Sequence, residues 1–171
     1  MQNTNHLIAL LHKQMFYYEK GNPERIAHLT KVHDYARTIG LLEGLDEETL
    51  ATLEAAALVH DIGIKVSLEK YGSSRGDLQE KEGSPLARAL LTKLAFPSSM
   101  IERVVFLVGH HHTYTNIEGI DYQILVESDF LVNLQEKTTG IEAIRKVYEE
   151  IYKTKSGKQL CGEMFKLEES L

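Results

Sequence analysis

A chain of 171 residues, 43% of them apolar and 26% charged, is long enough for one domain with its own core, and this composition excludes a disordered or fibrous protein. The net charge of -6 argues against non-specific binding to nucleic acid, which needs a basic excess, so no nucleic-acid partner is expected. The lone cysteine, Cys161, cannot close an internal disulfide and reads as a reduced intracellular thiol.

Met1 to Leu11 shows no basic segment leading into an apolar run, so no signal peptide is expected. Apolar stretches such as Val104 to Val108 fall far short of the roughly 18 residues of a membrane span. The expectation is a soluble, cytoplasmic protein with no membrane partner.

The periodicity predicts helices almost throughout. Asn5 to Lys20 is the first, with Leu7, Leu10, Leu11 and Phe16 among its apolar positions, and Gly21 ends it. Asn22 is an N-cap with Pro23 at the first helical position, where its missing N–H costs nothing. Ile26, Leu29, Val32, Ala36 and Ile39 then repeat at helical spacing, with Gly40 as the stop. Asp46 caps the next helix, which runs through Ala55, Ala56 and Ala57 to His60 and Asp61, and Gly63 interrupts it. The glycines and serines of residues 71–77 predict a loop.

Ser84 and Pro85 begin a helix to Leu94, and Pro97 begins another with Ile101, Val104, Val105 and Val108 as its buried stripe. Asp121 caps a helix to about Glu136, and one more runs from Thr139 to Tyr152. Gly157 and Gly162 punctuate a weakly defined tail with room for a last helix. No strand pattern, internal repeat or linker is visible. The fold class is all-α: one multi-helix bundle over residues 1–171, with a core at about 22–136 and C-terminal helices at 138–171.

Four polar positions break the apolar interior. His33 has Leu29 four residues before it and Ala36 three after; Asp129 has Leu125 four before and Val132 three after; His60 and Asp61 follow a row of alanines. A lone core histidine usually bonds a backbone carbonyl, and a lone buried aspartate usually caps or pairs. Two inward imidazoles and two inward carboxylates on three helices are better served by one shared divalent metal, since burying unpaired carboxylates is expensive. Mixed nitrogen and oxygen ligands suit manganese, iron, nickel or zinc, with magnesium also open.

The ordered set of His33, His60-Asp61 in the context HDIG, and Asp129 in the context ESDFLVN resembles the HD superfamily of metal-dependent phosphohydrolases, from about Arg25 to Asn133. The resemblance implies an all-helical bundle with His33, His60, Asp61 and Asp129 as metal ligands. In members with two metals, histidines placed like His110, His111 and His112 bind the second ion; His111 is best spaced and His110 follows. His112 is open between function and a solvated helix end, where a cation suits the dipole. Those members offer a further histidine between the HD pair and the later cluster, and none occurs here. Glu80 and Glu82 lie in that region, and Glu82 is the nominee to replace it. One firm ion is therefore expected, with a second in doubt.

Lys65, Lys70, Arg75 and Lys81 cluster after the HD pair and suit a phosphate-bearing substrate, Lys65 best. Tyr71, Gly72, Ser73 and Ser74 could add hydroxyl and backbone donors. The implied function is metal-assisted hydrolysis of a phosphate ester, a nucleotide or other small phosphorylated metabolite. Asp61 would bind the metal and orient or deprotonate water, and His111 or Lys65 would stabilise charge or protonate the leaving oxygen. An HD-type di-iron oxygenase and a non-catalytic metal- or nucleotide-binding sensor are the alternatives. A homodimer through the Met1 to Lys20 helix and the C-terminal helices is open.

Overall fold

The computed structural model describes residues 4–167, which form nine helices and no strand; residues 1–3 and the last four residues of the tail lie outside it. In chain order the helices are α1 (Thr4–Tyr18), α2 (Pro23–Leu42), α3 (Glu47–Val59), α4 (Ile64–Tyr71), α5 (Gly76–Lys93), α6 (Ser98–Val108), α7 (Ile120–Glu136), α8 (Ile141–Ile151) and α9 (Lys155–Phe165). The all-α bundle expected from the periodicity is the fold found.

Helix α3 is the centre. Every residue from Leu50 to Val59 is buried, because α1, α2, α6 and α7 pack around it. Its alanines leave room for neighbouring backbones to approach. The caps follow local chemistry: the Asn22 side chain accepts from the Arg25 N–H at the start of α2, and Asp46 accepts from Thr49 N–H at the start of α3. A smaller core of Leu131, Leu134, Ile144, Tyr152, Cys161 and Leu167 ties α8 and α9 to α7. Burial pushes the Cys161 thiol up to about 11, so it remains an unreactive thiol.

Three boundaries differ from expectation. Helix α2 runs through Gly40 to Leu42, because Gly40 serves packing: a Cβ there would sit 2.8 Å from Leu50. Helix α5 starts at Gly76, so Pro85 lies inside it and not at its start. Asp121 lies within α7, behind the N-cap Gly119, and its carboxylate grips Arg103 at 2.7 and 2.8 Å.

Glu127 is a fully buried carboxylate on α7. It accepts from Gln123, from the N–H groups of Lys153 and Thr154, and from the Thr154 hydroxyl. These bonds pin the α8–α9 connection to α7, two residues from Asp129. The chain turn after Asp61 is equally constrained. Gly63 lies against α5, where a Cβ would meet the Gln79 carbonyl oxygen at 2.3 Å and the Gly83 N at 2.7 Å. Both obstacles are backbone and cannot rotate away. Gly63→Ala is therefore expected to cost about 1–3 kcal/mol, as overpacking does, measured as a lower midpoint in chemical denaturation; an unchanged midpoint would contradict the close approach.

Candidate metal centre

Four separate elements bring polar atoms to one buried point. His60 and Asp61 sit in the turn that closes α3, His28 comes from α2, Asp129 from α7, and His111 from the turn after α6. His28, His60 and His111 are 2%, 0% and 1% exposed. His28 Nε2 lies 3.4 Å from Asp61 Oδ2 and 3.3 Å from Asp129 Oδ1; His60 Nε2 lies 3.4 Å from the same two oxygens. His111 Nε2 lies 3.3 Å from the other Asp61 oxygen, Oδ1.

The hydrogen bonds assign the imidazole tautomers. His60 Nδ1 donates to the Ala57 carbonyl at 2.8 Å, His111 Nδ1 to the Val108 carbonyl at 2.8 Å, and His28 Nδ1 to the Glu136 carboxylate at 2.9 Å. Each ring thus turns its Nε2 inward, and all three Nε2 atoms are buried without a hydrogen-bond partner among the described residues. Orphaned buried nitrogens are costly. Ligand atoms about 2.1 Å from one ion lie about 3.4 Å apart at tetrahedral angles, which is the spacing found. The donor set fits a divalent metal, and the outer hydrogen bonds on Nδ1 are those that orient metal-bound histidines.

The electrostatics agree. Burial alone would push the His60 imidazolium down, yet Asp61 and Asp129 outweigh it and push it up to about 10. Burial would likewise raise the two carboxylates, but His60, His111 and Arg25 hold Asp61, and His28 and His60 hold Asp129, below the usual range. The point is one where positive charge is strongly favoured. Arg25 supplies part of it through an ion pair with Asp61 Oδ2.

His60, Asp61, Asp129 and His111 converge as the sequence suggested. His33 does not. It bonds Glu54 at 2.9 Å, and Glu54 also accepts from Arg37 at 2.8 Å. Five helical residues separate His28 from His33, a rise of about 7.5 Å and a rotation of about 140°, so only one of them can face the HD pair. The signal for His28 was present: it stands four residues before Val32 and eight before Ala36, both buried. Glu136, the partner of His28, carried no signal of its own.

Glu82 also lies elsewhere. Its carboxylate accepts from Lys70 and from the Tyr71 hydroxyl, each at 2.7 Å, on the α4 side of α5. His110 is exposed, bonded to the Phe106 carbonyl and stacked on the Phe106 ring. His112 is the closer neighbour: with Asp61 and His111 it forms a second possible ligand triad sharing Asp61 with the triad of His28, His60 and Asp61. Its Nε2, however, faces the Gln79 Oε1 at 3.0 Å, its Nδ1 the Tyr114 hydroxyl at 3.2 Å. Burial and His111 push it down to about 4, so it is neutral. Glu80 accepts the His112 N–H and the Thr113 hydroxyl, while the Tyr122 hydroxyl donates to the His110 and Thr113 carbonyls, so this turn is held in place.

Of the basic residues after the HD pair, Lys70 is engaged by Glu82 and Arg75 by Asp77. Lys81 lies over the Tyr71 ring. Lys65 sits over the Tyr18 ring and beside Arg25 on the wall of a cavity of about 330 Å³.

This geometry separates the two α2 histidines experimentally. His28→Ala is expected to abolish tight binding of manganese or zinc in calorimetry, and His33→Ala to leave it unchanged. Glu136→Gln is expected to weaken binding roughly 10- to 100-fold, the usual effect of losing the group that orients a metal-bound histidine. Loss of metal in His33→Ala with retention in His28→Ala would reverse the assignment.

Residues 25–153 match the HD domain family. A crystal structure of a predicted HD superfamily hydrolase from an uncultured Thermotogales bacterium superposes with a TM-score of 0.63 at 23% identity, over 95% of this chain and 85% of that one. At that identity the likeness is one of fold. No curated protein matches the chain. The family match spans α2, the HD turn, the His111 turn and α7, which supply all the converging residues, and the chain belongs to the HD domain family.

Proposed function

We propose that the chain is a metal-dependent phosphohydrolase acting on a small phosphorylated metabolite or nucleotide. The observation that carries this reading is the set of three buried, unpartnered Nε2 atoms aimed at two carboxylates. His28, His60, Asp61 and Asp129 would hold the ion. A bound divalent ion would supply Lewis acidity and a water of lowered pKa.

The protein groups divide the remaining work. Asp61 presents Oδ2 to His28 and His60 and Oδ1 to His111, so it is placed to accept a hydrogen bond from an attacking water and orient it. His111, held by the Val108 carbonyl, faces the same space and is placed to stabilise charge on the phosphoryl oxygens. Arg25 already lies against Asp61, and a guanidinium there can donate to a phosphoryl group from a second N–H. Lys65, which lines the same cavity as Arg25, adds a second cation on that side of the centre.

The test is turnover of a panel of phosphate esters by protein loaded with manganese, beside its metal content. Asp61→Ala is expected to abolish hydrolysis and weaken metal binding together. His111→Ala should lower kcat by on the order of 10²-fold, and His112→Ala far less, since Gln79 and Tyr114 already engage its ring. Hydrolysis of no phosphate ester by the metal-loaded protein would sink the reading.

A further inference from the structure

The cavity of about 330 Å³ beside Arg25 is formed by the end of α1, the start of α2 and the face of α4. Its walls include Tyr18, Glu19, Asn22, Arg25, Lys65 and Leu68. Arg25 spans the two compartments: it lines this cavity while its guanidinium pairs with Asp61 at the metal centre. Arg25 is the residue the two share, so a phosphate ester whose phosphoryl group engages its guanidinium has this cavity beside it for the organic part. The volume is at the small end of ligand sites, and the apolar wall of Tyr18, Ile64 and Leu68 suits a carbon skeleton.

Glu19 is the unusual member of this wall. It is 8% exposed, yet no described residue donates a hydrogen bond to its carboxylate. Unlike Glu127, whose carboxylate is sealed and fully bonded, Glu19 lines the cavity, so its oxygens are open to a donor from a molecule bound there. Arg25 and Lys65 supply charge nearby, and their attraction only partly offsets the burial that pushes Glu19 upward. What Glu19 lacks is a donor: neither cation lies within ion-pair distance, Arg25 being paired with Asp61 and Lys65 lying over the Tyr18 ring, so a neutral O–H from a bound molecule can complete it.

On the phosphohydrolase reading above, we infer that this cavity is the subsite for the organic part of the substrate, and that Glu19 selects a hydroxyl-bearing group, a polyol or sugar phosphate. Tyr18, Glu19 and Asn22 precede residues 25–153, so this wall is contributed by the chain's own N-terminal segment and not by the part matched to the family.

The experiment compares glycerol 1-phosphate with propyl phosphate, equal in length and differing only in hydroxyls. The wild-type protein loaded with manganese is expected to favour the glycerol ester in kcat/KM by tenfold or more, the scale of a hydrogen bond to a charged partner. Glu19→Gln should shrink the ratio of kcat/KM for the two esters and Glu19→Ala should bring it close to one. Calorimetry with 3,4-dihydroxybutylphosphonate and butylphosphonate, whose P–C bonds resist hydrolysis, should show the same discrimination in affinity. Equal handling of both esters and both phosphonates by the wild type would overturn the subsite while leaving the phosphohydrolase reading intact. Failure of both esters, both phosphonates and inorganic phosphate to react or bind would overturn the reading beneath it as well.

Discussion

Two carboxylates, those of Asp61 and Asp129, are buried within 3.4 Å of the same two imidazole nitrogens. Removing two anions from water into one small space is tolerable only if positive charge comes with them. Arg25 and the histidines supply some, and a divalent ion would supply the rest. Much of the surrounding architecture serves this one requirement. Helix α3 is buried on all sides because it must end at the centre of the bundle. Helices α2 and α7 pack on it so that His28 and Asp129 face its C-terminal turn.

The supports are less visible than the ligands. Gly63 lets the chain leave the HD turn hard against α5, and Glu80 and Tyr122 hold the histidine turn from opposite sides. Glu127 fastens the C-terminal helices to α7 through backbone donors of the following connection. Removing α8 and α9 would take away most of the donors to that carboxylate, two residues from Asp129. The tail is thus a structural part of the helix that carries Asp129.

Local signals in the sequence located most of this. Helical periodicity, the caps Asn22 and Asp46, and the HDIG turn were legible because each rests on neighbouring residues. The choice between His28 and His33 was not, because both lie beside buried apolar positions on one helix. Only the direction of α3 relative to α2 decides between them, and that is a tertiary fact. Glu82 and His110 misled for a related reason: spacing along the chain placed them near the centre, but Lys70 and Tyr71 turn the first away and Phe106 the second. The start of α5 was missed because Pro85 is a strong local stop, and the packing of Gly83 against Gly63 outweighs it.

The three inward histidines are not oriented alike. His60 and His111 each lean on a carbonyl three residues earlier in their own chain segment, an acceptor that no side-chain substitution removes. His28 leans on Glu136, an exposed residue whose carboxylate is shared with Lys31. The orientation of two of these imidazoles therefore does not depend on any side chain, while that of the third follows one that can be exchanged or neutralised. Adaptation of such a centre toward a softer or harder ion would run through the Lys31–Glu136–His28 relay, with the ligands themselves left untouched.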